Sequence, residues 1–230
     1  MPKRILNLCL SSILLTTLLV TGSANASVIY SSLNNGFDGW LGYVEYDNFA
    51  GDFGLIDNID PITEFDNNYI FSGDEVILIP TEEPNGVYYY IVGLTRAFTL
   101  SAILPNHKRS ISISSLVSLG DFFPDDPFWT DNYTIRITNL DTNEELVANS
   151  IDGSVNADGT DVFDITSWGA ATIEIDLQVA DFAGEINSSL NINRVSIRER
   201  AAEVPAPSTL SIAVLLFFIS RLRTKKHLTI

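Results

Sequence analysis

Cysteine is almost absent from this chain of 230 residues: the single copy, Cys9, lies in an apolar leader segment. The residues before it, Leu6-Asn7-Leu8, lack the small side chain that a lipoprotein signal places next to its cysteine. Once the leader is removed no thiol remains, which excludes disulfides, thiolate metal sites and a cysteine nucleophile. A domain of this length can bury a core that is large enough to fold without disulfides.

Histidine is nearly as scarce, with two residues in the chain. One of them, His107, lies in the central segment within Pro105-Asn106-His107-Lys108-Arg109. A single imidazole without cysteine cannot supply the three or four ligands of a zinc site. Since no nucleophile-elbow motif accompanies it, the sequence indicates no serine triad, and we expect this histidine in a solvent-exposed polar loop. We therefore predict a protein that is not an enzyme and has no cofactor, with structural calcium as the one exception considered.

Basic residues are few between the two ends of the chain. Residues 27–203 contain all 29 acidic side chains but only seven basic ones, a formal charge of −22 against −16 for the whole chain. The seven are Arg96, Lys108, Arg109, Arg136, Arg194, Arg198 and Arg200. A field of this sign repels nucleic acid and anionic headgroups, so nucleic acid is not an expected partner. It is typical of an exported surface protein, and binding of divalent cations is the alternative.

The first 26 residues have the pattern of a secretory signal peptide. Lys3 and Arg4 form the positive region, Ile5–Val20 the apolar segment, and Ala24-Asn25-Ala26 the small-x-small cleavage site. A first transmembrane helix is the alternative, but serine and threonine interrupt the apolar segment and a cleavage site ends it. We therefore predict that signal peptidase cuts between Ala26 and Ser27.

Residues 204–230 contain a second targeting pattern. Val204-Pro205-Ala206-Pro207 is predicted to be non-helical, because each proline fixes its own φ and disfavours the helical conformation of the residue before it. Leu210–Ile219 is apolar apart from one serine, and is followed by a basic stop that stays in the cytoplasm. The basic residues are Arg221, Arg223, Lys225 and Lys226. The apolar run is about half of the roughly 20 residues that span a bilayer, which favours processing over a permanent tail anchor.

The order, spacing and terminal position of these elements resemble the PEP-CTERM sorting signal of Gram-negative bacteria. In that family a Val-Pro-Glu-Pro-Ser/Thr motif precedes a short transmembrane helix and an arginine-rich end, and Ala206 stands here in place of the glutamate. The resemblance implies cleavage near Val204–Pro207 by an exosortase, a membrane cysteine protease. It also implies delivery to the cell envelope, the outer surface or the extracellular matrix, with membrane contact through the tail before processing.

Between the two ends, apolar and polar residues alternate. Tyr133–Thr138 and Thr172–Val179 place apolar side chains on one face and polar ones on the other, as half-buried antiparallel strands do. Further strands are predicted at Val76–Ile79, Val87–Val92, Ala97–Leu100, Ile111–Val117, Leu146–Asn149, Val162–Ile165 and Leu190–Ile197. The apolar phase of the last segment changes midway, which predicts a β-bulge near Asn193-Arg194. Residues 27–203 are therefore predicted to form one all-β domain, a two-sheet antiparallel β-sandwich of jelly-roll type.

Three segments of this domain resemble the galactose-binding-like jelly rolls found in carbohydrate-binding modules and bacterial surface proteins. They are Leu33–Trp40, which ends in Gly-Trp, Leu94–Leu100, and Asp164–Trp168 with the two strands that follow it. The resemblance implies a fold rather than a function, and the two tryptophans are expected in the core. Many members hold a structural calcium with an Asp-Asp-Val in the last strand, where this chain has Asn193-Arg194-Val195.

The densest group of acidic residues is interleaved with aromatic ones. The acids are Asp121, Asp125, Asp126 and Asp131, and the aromatic residues are Phe122, Phe123, Phe128 and Trp129. Because calcium prefers carboxylate oxygens, the four aspartates are candidate ligands of a structural calcium ion. An aromatic sugar platform would use the same loop. Their spacing matches no EF-hand, and an acidic surface loop whose aromatic residues cap the sandwich is the plainer alternative.

The terminal signals favour a non-enzymatic surface or matrix protein that is processed by an exosortase and associated with exopolysaccharide or a biofilm. The first alternative is a carbohydrate-binding module that recognises a specific glycan, and the second is a polysaccharide-active enzyme. The expected partners are signal peptidase and exosortase during export, and an exopolysaccharide or another glycan afterwards.

Overall fold

The computed structural model describes residues 26–32, 36–84, 86–120, 130–150, 156–182 and 187–202. Within these ranges no helix is long and apolar enough to cross a membrane. The predicted signal peptide, the sorting motif with its basic stop, and the calcium candidates Asp121, Asp125 and Asp126 lie outside the described residues. The description that follows concerns the compact unit Asn25–Arg200.

Thirteen strands follow one another in the described part of the chain. They are β1 (Ser27–Ser31), β2 (Leu41–Asp47), β3 (Phe53–Ile59), β4 (Tyr69–Ser72), β5 (Glu75–Leu78), β6 (Thr81–Glu82), β7 (Tyr88–Leu100), β8 (His107–Ser118), β9 (Asn132–Asn139), β10 (Glu144–Ser150), β11 (Asn156–Asp164), β12 (Ala171–Ala180) and β13 (Ser189–Ala201). A short 3-10 turn, Thr166–Trp168, precedes β12.

The strands form two antiparallel sheets. Sheet A has the order β11-β8-β13-β5-β4, with β1 also paired to β13. Sheet B has the order β10-β9-β12-β7-β2-β3, with β6 paired to β7. Along the thirteen strands the chain changes sheet eight times, for example between β7 and β8 and between β12 and β13. The predicted all-β, two-sheet antiparallel sandwich of jelly-roll type is confirmed.

The core lies between the sheets and follows the predicted alternation. Ile173, Ile175 and Leu177 of β12 are fully buried, whereas the residues between them are half-buried. Burial of each such side chain contributes about 1.5–3 kcal/mol. Trp40 and Trp168 belong to the same core cluster, so both are core residues as expected.

Two predicted strands form one continuous strand, and the predicted bulge coincides with a change in the burial pattern. The segments Val87–Val92 and Ala97–Leu100 are parts of one long strand, β7, because Gly93 does not break it. On β13, Asn193 and Arg194 are both half-buried, between a buried Ile192 and a buried Val195. The phase of burial therefore changes where the bulge is predicted.

A buried ion pair ties the last strand to the loops at one end of the sandwich. The fully buried Arg109 places Nη2 2.7 Å from Oε2 of Glu199, whose side chain is 8% exposed. Arg109 Nη1 donates to the carbonyls of Ser101 and Gly169, at 2.9 and 2.8 Å. Glu199 Oε1 accepts the backbone N–H of Leu104 at 3.0 Å. That hydrogen bond and the guanidinium lower the pKa of Glu199.

Candidate functional site

The outer face of sheet B carries polar and aromatic side chains that do not take part in the core. On β12 the residues that alternate with the buried core positions are Thr172, Glu174, Asp176 and Gln178, all half-buried. β12 lies between β9 and β7, near the middle of the sheet. The surface built on these strands is called the sheet-B face below.

Tyr43 of β2 lies flat across this face. Its hydroxyl is 2.8 Å from Oδ1 of Asp176 and 3.1 Å from Oε1 of Gln178, both on β12. Since β7 separates β2 from β12, the ring crosses over β7, where Gly93 is the residue paired with Tyr43. A Cβ on Gly93 would overlap the tyrosine ring, so only glycine permits this position. One face of the ring therefore lies on the backbone and the other points away from the sheet.

Hydrogen-bond donors and acceptors lie close together beside Tyr43. Burial raises the pKa of Asp176, and burial followed by the charge of Asp176 raises the pKa of Tyr43, which keeps the hydroxyl protonated. Arg136 Nη1 lies 3.8 Å from Oδ2 of Asp176. The buried atoms Arg136 Nε and Thr95 Oγ1 have no hydrogen-bond partner among the described residues. This half of the face therefore offers carboxylate, amide, hydroxyl and guanidinium groups within one small area.

Four aromatic rings continue the same face toward one end of the sheet. Phe49 stacks on Tyr88 at 6.2 Å between ring centroids with 13° between the planes. Tyr88 is 6.4 Å from Tyr90, and Tyr90 is 5.7 Å from Phe182. The Tyr90 hydroxyl donates to Oε2 of Glu45 at 3.1 Å, and Glu45 is two residues from Tyr43 on β2. Phe49, Tyr88, Tyr90 and Phe182 are called the aromatic ridge below.

Buried residues on the outer side of the sheet support the aromatic ridge. Tyr88, Ile91 and Ala180 are buried, yet they are not part of the core cluster between the sheets. The hydroxyl of Tyr88 donates to the carboxylate of Asp181 at 2.5 Å, which holds its ring in place. Ala180 pairs with Ile91 between β12 and β7, so buried side chains lie beneath the ridge.

Phe49 is the most unusual residue of the ridge. Its φ is +53°, in the left-handed region that bulky residues rarely adopt, and its side chain is 73% exposed. Its backbone N–H donates to Oδ1 of Asp47 at 2.7 Å, which closes a local turn. Such backbone strain costs of order 1–3 kcal/mol and tends to occur at functional sites. Burial does not account for a phenylalanine here, since the ring is largely in solvent.

The charge of the sheet-B face is negative. Its outward side chains include the carboxylates Glu45, Asp47, Glu145, Glu174 and Asp176, against one guanidinium, Arg136. Burial and the neighbouring Glu45 raise the pKa of Tyr90 to about 12, so its hydroxyl stays neutral. An anionic ligand would be repelled by this face, whereas hydroxyl groups of a neutral ligand could donate to its carboxylates.

Of the four aspartates predicted as calcium ligands, Asp131 lies in the described part of the chain. Asp131 is fully buried, with Oδ1 accepting the N–H of Phe182 at 2.9 Å and Oδ2 the hydroxyl of Ser188 at 2.7 Å. It therefore lies beside the aromatic ridge. Among the residues that the structure describes, no group of three histidine, cysteine or acidic side chains could hold a metal ion. Calcium binding by the acidic loop stays a prediction.

Two further predicted positions can be placed. His107, expected in an exposed loop, is instead the first residue of β8 and is half-buried, with Nδ1 3.1 Å from the carbonyl of Pro105. Asn106 makes the turn with a φ of +59°, so the strand begins at His107 and not at the predicted Ile111. Ser27, the predicted first residue after signal cleavage, is the first residue of β1 and pairs with Glu199.

Sequence reasoning did not single out the residues of the sheet-B face. Gln178 and Asp176 were assigned to the polar side of a strand, which is where they lie. One signal was present: Tyr88, Tyr89 and Tyr90 are consecutive in a strand, so they cannot all face the core. Tyr89 packs on the core, and the other two belong to the ridge.

No protein-family model matches the chain, and no curated protein matches it in sequence. Among solved structures, a family 61 carbohydrate-binding module in complex with β-1,4-galactotriose matches with a TM-score of 0.41 and 9% identity, covering 71% of this chain and 90% of that one. A xylan-binding module of family 15 matches with a TM-score of 0.40 and 16% identity, covering 79% and 100%. A mutant of a family 29 module has a TM-score of 0.36 and 16% identity, covering 76% and 92%. These values are too low for an inference about the ligand of this chain.

Proposed function

We propose that the domain is a carbohydrate-binding module whose sheet-B face binds a neutral glycan. The observation that carries the proposal is Phe49, an exposed aromatic ring that is held at a strained backbone position beside Tyr88. The apolar face of a sugar ring stacks on such an aromatic surface, and the sugar hydroxyls bond to nearby carboxylate and amide groups. The sheet-B face presents both an exposed aromatic ring and carboxylate and amide groups.

The arrangement suits a chain of sugars rather than one sugar. The rings of Phe49, Tyr90 and Phe182 follow one another along the ridge, and the flat ring of Tyr43 continues it near Gln178. Packed support beneath the rings reduces the ordering cost of binding. The excess of carboxylates over guanidinium groups on this face favours a neutral glycan, since like charges repel an anionic one.

We also propose how the domain reaches its glycan. The signal peptide Met1–Ala26 exports it, and the tail that resembles a PEP-CTERM signal holds it at the membrane until an exosortase cuts near Val204–Pro207. The support comes from the order and spacing of the terminal motifs. A module released in this way would bind exopolysaccharide or a biofilm matrix at the outer surface of a Gram-negative cell.

Affinity electrophoresis of the full chain tests glycan binding directly, in gels that contain galactan, xylan or glucomannan. We expect at least one polymer to retard the wild-type protein. Phe49→Ala and Gln178→Ala should each weaken that binding about tenfold, the size expected for one stacked ring or one lost hydrogen bond. Ile62→Ala is the matched control, because Ile62 is 56% exposed and lies in the loop between β3 and β4.

Two results would contradict the proposal. The first is the absence of retardation by every neutral polymer of the panel. The second is retardation that Phe49→Ala leaves unchanged while thermal denaturation shows that the variant is folded.

A further inference from the structure

Four of the seven basic residues in the described part of the domain form neither a close ion pair nor a cation–π contact. Arg109 pairs with Glu199, Arg136 lies beside Asp176, and Arg96 packs over two aromatic rings. The remaining four are Lys108, Arg194, Arg198 and Arg200. Within the described ranges, none of these four forms an ion pair or a cation–π contact. Four cations of this acidic domain are therefore free of close ion pairs within the described ranges.

All four cations face outward from sheet A. Lys108 precedes the buried Arg109 on β8, and Arg198 and Arg200 flank the buried Glu199 on β13. Arg194 is half-buried at the change of phase on β13. Because β8 and β13 are neighbours in sheet A, the four residues share one surface on the side of the sandwich opposite the sheet-B face.

Hydroxyl groups surround these cations. Ser110, Ser112 and Ser114 of β8 alternate with buried isoleucines, and Ser114 faces Thr160 of β11 at 2.8 Å between the two oxygen atoms. Asp164 is the only outward carboxylate among the side chains described on β8, β11 and β13. Hydrogen bonds from Thr166, and then the charges of Lys108 and Arg200, lower the pKa of Asp164.

Polar atoms without partners are concentrated on β13. Four buried side-chain atoms of this strand have no hydrogen-bond partner among the described residues: Asn191 Oδ1, Asn193 Oδ1, Arg194 Nε and Arg198 Nε. Unsatisfied buried polar groups are rare in folded proteins, because each loses its hydrogen bonds to water without replacement. Two acceptors, on Asn191 and Asn193, are thus followed along the strand by two donors, on Arg194 and Arg198.

We propose that the outer face of sheet A binds a carboxylate-bearing polysaccharide, such as a polyuronate, at a site separate from the sheet-B face. The planar guanidinium groups of Arg194 and Arg198 match carboxylates, and the serine and asparagine side chains match sugar hydroxyls. At about 0.15 M salt the Debye length is about 8 Å, so the local cations outweigh the acidic groups on the distant faces.

The composition of the face argues against two other occupants. No outward aromatic ring is described on β8 or β13, and such rings are the usual platforms for the bases of single-stranded nucleic acid. On β13 the outward residues are asparagine, serine and arginine. The exposed apolar side chains of this face, Leu116 and Val162, lie on β8 and β11, so the arginines are not set within an apolar interface core. Two copies that met through this face would also bring like cations together, which repel one another.

Affinity electrophoresis of the full chain in polygalacturonate, at about 0.15 M NaCl, tests this proposal. Fully methyl-esterified polygalacturonate is the matched polymer, because it has the same backbone without the carboxylates. We expect retardation by the acid form alone. The double variant Arg194→Gln/Arg198→Gln should weaken it at least about tenfold, as the loss of two charge-assisted hydrogen bonds would. Arg136→Gln, on the opposite sheet, should leave it unchanged.

Further variants distinguish a loss of binding from a loss of folding, and distinguish this site from the sheet-B face. Lys108→Gln/Arg200→Gln changes two exposed residues and should also weaken binding. Phe49→Ala should bind polygalacturonate as the wild type does. The proposal is overturned if the acid polymer does not bind, if the esterified polymer binds equally well, or if both double variants bind like the wild type. Equally tight binding of DNA would overturn the assignment to a polysaccharide.

Discussion

Replacement of Gly93 by alanine tests whether Tyr43 is held flat on sheet B. Gly93 is not among the residues with positive φ, so alanine fits its backbone conformation. The new Cβ would, however, overlap the ring of Tyr43. The ring must therefore move away, and its hydroxyl loses its contacts with Asp176 and Gln178.

The expected change in stability is the difference between a loss and a gain. A hydrogen bond to a charged acceptor such as Asp176 contributes about 1.5–3 kcal/mol. Replacing glycine by alanine within a strand returns about 0.5–1 kcal/mol, because the unfolded chain has less conformational freedom to lose. We therefore expect Gly93→Ala to lower the free energy of unfolding by about 1–2 kcal/mol.

Urea denaturation of a double-mutant cycle measures this effect. In a Tyr43→Ala background the ring is absent, so Gly93→Ala should be neutral or should stabilise the protein by about 0.5–1 kcal/mol. The two substitutions are thus expected to be strongly non-additive. If Gly93→Ala destabilises both backgrounds equally, the alanine clashes with something other than Tyr43, and the flat placement of the ring is refuted.

The remaining predictions concern the ion pair between Arg109 and Glu199, the backbone at Phe49, and the two ends of the exported protein. Arg109→Met should cost about 3–5 kcal/mol in urea denaturation, because it leaves the Glu199 carboxylate without its buried partner. The pKa of Glu199 in the folded state lies below its ordinary value of 4.5. The stability that the ionised carboxylate contributes is therefore present above that pH and is lost as the pH falls through the folded-state pKa. Glu199→Gln should accordingly flatten the acid limb of a stability–pH curve. Phe49→Asn should raise the melting temperature, because asparagine tolerates the left-handed region, and should weaken retardation by neutral glycan about tenfold, as Phe49→Ala does. An unchanged or lower melting temperature would mean that the backbone at this position is not strained. The intact mass of the exported protein should correspond to a chain that begins at Ser27 and lacks Lys225. If the tail is retained in a strain with an active exosortase, the tail is a permanent anchor.

The fold could be predicted because its central strands are buried on one face only. Thr172–Val179 alternates without interruption, and the structure buries Ile173, Ile175 and Leu177 as expected. Segments with less regular burial escaped prediction: β3 has six of its seven residues exposed or half-buried, so hydrophobic periodicity is lost there. Pairing with β2 makes it the edge strand of sheet B, so backbone hydrogen bonds rather than burial define it.

The site was less accessible to sequence analysis for a physical reason. Tyr43, Gly93 and Asp176 are far apart in the chain, and they meet only because β2, β7 and β12 are neighbours in sheet B. Nothing local distinguishes Gly93 from a strand-breaking glycine, since the need for it comes from a ring on another strand. The strain at Phe49 is likewise a property of the backbone angle and is invisible in the residue type.

The central claim is that a neutral glycan binds to the outer face of sheet B. An NMR titration of backbone amides with an oligosaccharide of whichever neutral polymer retards the protein tests it most directly. Binding should shift the amides of Tyr43, Tyr90 and Gln178 and leave those of Arg194 and Arg198 on sheet A in place. Shifts confined to β8 and β13, or the absence of shifts at saturating oligosaccharide, would contradict the account.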